Sequence, residues 1–404
     1  MNVPFFRASL GDAEISEVVA VLRSGWLTSG PLVKRFEAEF AAAVGAQHAV
    51  ALNSATAALH LAVEAMGLRP GDGVLVPSMT FAATAEIVRY LGAVPLIVDS
   101  EPVTLNMSLE ALDRTVSDLR EGRLPASIPR DTPIVGVIPV HVGGLMMDMD
   151  AVGRAASRHG AWVVEDAAHA FPASWRAEAD APWIRCGEQT AAVSCYSFYA
   201  NKTITTGEGG MAVTDNEAVA GRMRTMSLHG LSRDAWGRFT AGGTWDYRII
   251  APGFKYNLTD IAAAIGVHQL AAAEQMRLRR SEVAHSYLAA LSEVDKIELP
   301  VDPVDRIHSW HLFPIRLRLD RLSINRAAFI EALRQEGIGT SVHWRPLHLH
   351  PYYESTFGWR PDHCPVATRE WERLISLPIF PSMTDAELSH VVQTVTAIAR
   401  KHRR

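Results

Sequence analysis

The chain lacks the features that mark several protein classes. Of its 404 residues only three are cysteine, Cys186, Cys195 and Cys364. An odd number at wide spacing excludes a disulfide framework, offers no metal-binding repeat, and suits reduced thiols in a cytoplasm. No apolar run approaches the roughly 18 residues needed to cross a bilayer. Residues 1–6 lack the basic stretch and long apolar core of a secretory signal. A net charge of −5 carries no basic excess for nucleic acid. The cations at 400–404 are read as favouring the negative end of a final helix. Repeats and low-complexity tracts are absent on inspection, which excludes a solenoid or a linker protein.

What is present is a 48% apolar content, enough for a large core and about two domains. Short apolar runs alternate with longer helical patterns. Strands are expected at 73–76, 94–98, 134–138, 161–164, 192–196 and 211–214, and helices at 13–23, 31–44, 56–66, 109–119 and 149–157. That alternation predicts an α/β fold, a mainly parallel sheet covered on both faces. A long helix at 259–291 then leads to a smaller α/β unit, with a strand at 310–317 and a helix at 326–335. The expected division is residues 1–255 for the large domain and 256–404 for the connecting helix and small C-terminal domain.

Three segments carry chemistry. Lys202 follows the strand at 192–196, with Ser197 five residues before it and the turn Gly207, Gly209, Gly210 behind it. A lysine so placed can hold an aldehyde cofactor covalently, and pyridoxal phosphate fits best; on the Lys-Gly pattern alone, an ordinary solvated loop is at least as common. Upstream, a buried strand ends in Glu165 and Asp166, with His169 three residues on. A carboxylate there can keep a pyridine nitrogen protonated. Neighbours on a strand face opposite ways, so only one of the two acids can meet the ring, and Asp166 is the candidate. The third segment, residues 49–62, runs from a short strand through Asn53, Ser54, Ala55 and Thr56 into a helix, whose free amides and positive end suit a phosphate.

Together these segments resemble the DegT/DnrJ/StrS family of sugar aminotransferases, fold-type I pyridoxal-phosphate enzymes with the aspartate-aminotransferase architecture. Further matching stretches are GWLTSGP at 25–31, VPSMTFAATA at 76–85, PVHVGG at 139–144, LHGLSRDAW at 228–236, GFKYNLTDI at 253–261 and LISLPIFP at 374–381. The resemblance implies that Lys202 forms the Schiff base with pyridoxal 5'-phosphate and acts as base and acid. It implies that Asp166 meets the pyridine nitrogen, that His169 lies near the phenolic oxygen, and that Phe81 stacks on the ring. Ala55, Thr56 and Ser197 would hold the phosphate, helped by Lys255 or Asn257 from a loop donated across a homodimer, giving shared active sites. Trp26, Thr28, His343, Arg345 and Tyr353 would line the substrate pocket.

The implied reaction moves an amino group from glutamate or glutamine to a nucleotide-linked keto-deoxysugar at C4 or C3. Cyclitols and cyclic keto acids are alternative acceptors, and a non-catalytic cofactor-binding regulator is the alternative class. The dehydratase branch of the fold replaces the Schiff-base lysine with histidine, and this chain has Lys202. His343, His348 and His350 form the densest histidine cluster, but Pro346 and Pro351 break the spacing of metal-binding pairs, so no metal is expected. The stretch 171–191, with Trp175, Trp183 and Cys186, departs from the family pattern and receives no role.

Overall fold

The computed structural model describes residues 1–231 and 248–404; the last five residues of the 228–236 stretch lie outside them. The strands are β1 (His48–Leu52), β2 (Gly73–Pro77), β3 (Val94–Val98), β4 (Ile134–Val137), β5 (Trp162–Asp166), β6 (Ser174–Trp175), β7 (Ile184–Arg185), β8 (Val193–Ser197), β9 (Gly210–Thr214), β10 (Ile297–Glu298), β11 (Arg306–Ile307), β12 (Phe313–Leu317) and β13 (Leu374–Leu377). The helices are α1 (Asp12–Ser24), α2 (Pro31–Val44), α3 (Ala55–Ala65), α4 (Ala83–Tyr90), α5 (Leu109–Glu121), α6 (Met149–Ser157), α7 (Glu217–Ser227), α8 (Asp260–Leu291), α9 (Arg326–Gln335), α10 (Pro351–Phe357), α11 (Pro365–Arg373) and α12 (Asp385–Lys401).

Seven strands form the large sheet in the order β1, β9, β8, β5, β4, β2, β3. The block from β8 to β3 is parallel, and β9 runs antiparallel to both its neighbours. Nearly unbroken apolar runs such as β2 and β3 suit this arrangement, because a sheet covered on both faces leaves no strand side in water. Helix limits follow local chemistry. Pro31 at the first position and Gly45 in the left-handed region bound α2, while Thr259 caps α8 by accepting from the Ala262 amide.

The chain crosses between two hydrophobic cores more than once, and no single cut at 255 separates them. The larger core takes in the big sheet, the first half of α8 and, from the C-terminal part, Leu347, Tyr353, Phe357, Trp359 and Ala367. The smaller one gathers Val283 to Leu291 of α8, the sheet β10-β12-β13, α9 and α12, together with Val3 from the N-terminus, which bridges Ile338. Residues 171–191 contribute β6 and β7 to a third small sheet with β11. There Trp175 is buried and Trp183 carries the Arg176 guanidinium 4.5 Å above its ring. No helix among the described residues is long and apolar enough to cross a membrane.

Candidate active site

The functional side chains meet at the C-terminal ends of β5 and β8, where ligands sit in open α/β sheets. β5 and β8 are parallel neighbours with Asp166 opposite Cys195, so the acid ending β5 and the lysine loop after β8 lie side by side. Asp166 and Lys202 sense each other's charge. Lys202 is partly buried and its ammonium makes no hydrogen bond among the described residues. Desolvation lowers it to about 8, against the opposing attraction of Asp166.

Asp166 and Glu165 face opposite sides of the sheet, as strand alternation requires. Burial raises Asp166 above the usual carboxylate range. The Thr84 hydroxyl, donating to Oδ2 at 2.7 Å, the Ala168 amide at 3.2 Å and the Lys202 charge only partly oppose this. Thr84 in turn shares a 2.7 Å hydroxyl contact with Thr80. Neither threonine stands out in the sequence. Thr80 lies in the bend before α4 and Thr84 in its first turn, so no helical spacing marks the pair.

Burial acts on Glu165 in the same upward sense, yet hydrogen bonds hold it below its ordinary value. His141 Nε2 lies 2.7 Å from it, and the Thr190 and Ser194 hydroxyls donate to its other oxygen. The Met147 amide donates to His141 Nδ1, which leaves the imidazole proton on Nε2, facing Glu165. Cys186 lies close to His141 and Glu165, buried on the same side.

His169 is buried between Trp344, stacked at 4.9 Å, and His311 at 4.1 Å, and its Nδ1 has no partner among the described residues. Burial first, then the Lys202 charge, holds it well below the ordinary histidine range, so it is neutral at pH 7. His343 also feels Lys202 and falls to about 4, chiefly through burial. It stacks on Phe5 and meets Ser376 Oγ at 2.9 Å.

The turn into α3 is formed by Ser54, whose hydroxyl accepts from the Ala57 amide. Helix geometry leaves the Ala55 and Thr56 amides without an intrahelical acceptor. A Cβ on Gly210 would stand 2.4 Å from the Ser54 carbonyl, so only glycine lets β9 close against this turn. Ser197 ends β8, partly buried. Phe81 is 62% exposed in the loop after β2, its ring face free of the core.

The 254–257 segment docks on its own chain: Asn257 bridges Leu52, and the Asn53 amide donates to Tyr256 at 2.7 Å. Lys255 Nζ bonds Asn257 Oδ1, and Asn257 Nδ2 reaches Ser29 Oγ at 2.8 Å. That brings the loop carrying Trp26 and Thr28 beside it; the Thr28 carbonyl accepts from Asp260, whose carboxylate caps α2.

Other expected pocket residues are not gathered. Tyr353 is 3% exposed, packed on Phe357 and Tyr352 in the large core. Arg345 is exposed, donating to the Leu349 carbonyl with its guanidinium over Trp371. The three histidines at 343–350 bond different partners: Ser376 for His343, Ser78 and Thr368 for His348, and the Arg345 carbonyl for His350.

These residues fit pyridoxal phosphate. A buried carboxylate short of cationic partners suits a protonated ring nitrogen, an unpartnered His169 Nδ1 suits a polar ring substituent, and the first turn of α3 suits a phosphate.

Comparison with known proteins agrees. The sequence profile of the DegT/DnrJ/EryC1/StrS aminotransferase family matches residues 8–396. The spore coat polysaccharide biosynthesis protein SpsC of Bacillus subtilis (strain 168) is 41% identical over 399 residues, 98% of this chain and 97% of SpsC. Spr1654 from Streptococcus pneumoniae, solved in its PLP-form, superposes with a TM-score of 0.86 at 28% identity, covering 99% of both chains. The sugar aminotransferase CalS13 from Micromonospora echinospora gives 0.82 at 29%, covering 98% of this chain and 99% of its own. The chain therefore belongs to the DegT/DnrJ/EryC1/StrS aminotransferase family and is a fold-type I aminotransferase dependent on pyridoxal phosphate.

Proposed function

We propose that the protein moves an amino group from glutamate or glutamine onto a nucleotide-linked keto-deoxysugar, at C4 or C3 of the ring. The observation that carries the reading is the pairing of a lysine whose ammonium is lowered to about 8 with the buried Asp166. A sensor would not need the lysine placed to shuttle protons. The sugar class rests on the relatives, one named for polysaccharide biosynthesis and another as a sugar aminotransferase.

When bound, pyridoxal phosphate supplies an aldehyde for the amino donor and a ring that draws electrons from the substrate carbon. Lys202, with its lowered affinity for protons, takes a proton at Nζ and returns it to the neighbouring carbon. Asp166, held by Thr84, would keep a proton on the ring nitrogen when the cofactor is bound. His169, kept neutral and fixed between Trp344 and His311, would hold the ring oxygen, and Phe81 would offer its exposed face to the ring. Ala55, Thr56 and Ser197 anchor the phosphate. Trp26, Thr28 and His343 receive the acceptor sugar; Arg345, which is exposed over Trp371, and Tyr353, in the core, are left out.

The working unit in this proposal is a cytoplasmic homodimer in which Lys255 and Asn257 serve the partner's site. Mixing Lys202→Ala with Lys255→Ala/Asn257→Ala subunits should restore up to about a quarter of wild-type activity, since half of randomly formed dimers are mixed and each carries one intact site. No recovery in confirmed mixed dimers would confine the loop to its own subunit. The substrate is tested by incubating purified enzyme and amino donor with a panel of nucleotide-linked 3-keto and 4-keto sugars, cyclitol ketones and cyclic keto acids. Mass spectrometry should show amination within the sugar panel. Turnover confined to the cyclitols or keto acids would overturn the substrate class.

A further inference from the structure

Beside Lys202, under the N-terminal segment, lies a cavity of about 10 Å³, room for one ligand the size of a single heavy atom. Residues 6–9, the loop after β8 and α8 form its walls. Arg280 projects from α8 and is only 3% exposed. Its Nη1 donates to the Trp310 and Ile379 carbonyls at 3.3 and 2.8 Å, while its Nε has no partner among the described residues. Ser9 Oγ and Asn201 Oδ1 are likewise buried and unpartnered, and both residues line the same cavity. Gln269, also in the wall, is committed: its Nε2 donates to the Ser9 carbonyl and to Glu14, and its Oε1 accepts from the Thr205 amide.

Charge decides what the cavity suits. Its lining includes three cationic residues, Arg7, Lys202 and Arg280, and no aspartate or glutamate. Arg7 already pairs with Glu387 at 2.9 Å. Arg280 has no carboxylate within ion-pair distance among the described residues, whereas the other deeply buried guanidinium, Arg316, meets both Glu298 and Glu370. A buried charge needs compensation, and Arg280 receives two carbonyl dipoles but no carboxylate among the described residues, so a ligand that brings negative charge suits the cavity. The Ser9 hydroxyl rotates freely, and the Asn201 amide can turn its NH₂ inward, giving three donors around one point.

We propose that Arg280, Ser9 and Asn201 bind a monovalent anion of halide size next to Lys202. The bound ion joins three separate parts of the chain: the N-terminal segment, the loop that presents Lys202, and the helix that runs between the two cores.

Holoenzyme crystals soaked in sodium bromide test this directly. An anomalous peak within about 3.5 Å of Arg280 Nε is expected. In solution, replacing gluconate by bromide at constant ionic strength should raise the melting temperature of the holoenzyme saturably. Ser9→Ala should shift the half-saturating bromide concentration upward about tenfold, the loss expected for one hydrogen bond to a charge, and Arg280→Met should abolish the response. If Arg280→Met does not fold, Ser9→Ala decides alone. Density in the cavity without bromide signal would mean water and overturn the proposal, as would a bromide response identical in wild type and Ser9→Ala.

Discussion

Glu165 and Asp166 are adjacent, equally buried acids at the end of one strand, and they end in opposite electrostatic states. Glu165 turns to the side where His141, Thr190 and Ser194 all point hydrogens at it, and it ionises more readily than a free glutamate. Asp166 turns to the lysine side, where Thr84 and one amide are its donors among the described residues, and it ionises less readily. Burial costs both alike; the number of donors decides the sign. A carboxylate satisfied by its own chain is structural, while one left short of positive charge is positioned for a partner that arrives with the cofactor.

The contrast can be broken at either acid or at the lysine. Lys202→Ala should have the largest effect, a loss of transamination by at least about five orders of magnitude, because no other group can hold the proton at that point. The same variant should lose the borohydride-fixed cofactor, checked by mass spectrometry of the tryptic peptide. Asp166→Asn should keep the fold and lower kcat by about two to four orders of magnitude, the kinetic equivalent of roughly 3 to 5 kcal/mol. Glu165→Gln should do the reverse: kcat per folded molecule falls little, but stability falls by roughly 3 to 5 kcal/mol as His141 loses its charged acceptor. Denaturant unfolding separates the two, and a Glu165→Gln protein of normal stability with lost activity would exchange their roles.

Thr84→Val removes one hydrogen bond to Asp166, so cofactor affinity should fall by about one order of magnitude, read by fluorescence titration of the apoenzyme. A further effect concerns pH. Lys202 binds its proton less tightly folded, at about 8, than its ordinary 10.5. Between those values the unfolded chain holds the extra proton, so the lysine's unfavourable contribution to apoenzyme stability fades as pH rises from about 8 to 10.5. The stability of wild-type apoenzyme relative to Lys202→Met should therefore increase across that window; a flat difference would show that Lys202 is well solvated.

Several elements were legible with little error. The expected helices at 31–44, 149–157 and 326–335 coincide with α2, α6 and α9, each bounded by glycine, proline or a capping side chain that acts locally. The strand expected at 94–98 is β3, whose apolar run has clear polar limits. The strand expected from 310 begins only at Phe313, because Trp310 adopts a positive φ of 49° that no strand accommodates. Tyr353, expected beside the substrate, has aromatic neighbours that read equally well as a pocket wall or as core, and in the structure it is buried and packed on Phe357. Residues 171–191 gave no signal because β6 and β7 are two residues each, β6 pairing with its neighbour β7 and with β11, 131 to 133 positions away.

The sequence by itself determined which groups could do chemistry and along which strands they lie. A lysine behind a β-run, an acid at a strand end and a small polar helix start are local patterns, and alternation alone set Glu165 and Asp166 on opposite faces. The tertiary structure decided what surrounds each group. Thr84 meets Asp166 across 82 positions, Ser194 meets Glu165 across 29, and Arg280 of α8 comes to lie with Ser9 and Asn201 around one cavity. Proton affinity depends on burial and on donors brought from afar, and neither is encoded in neighbouring residues.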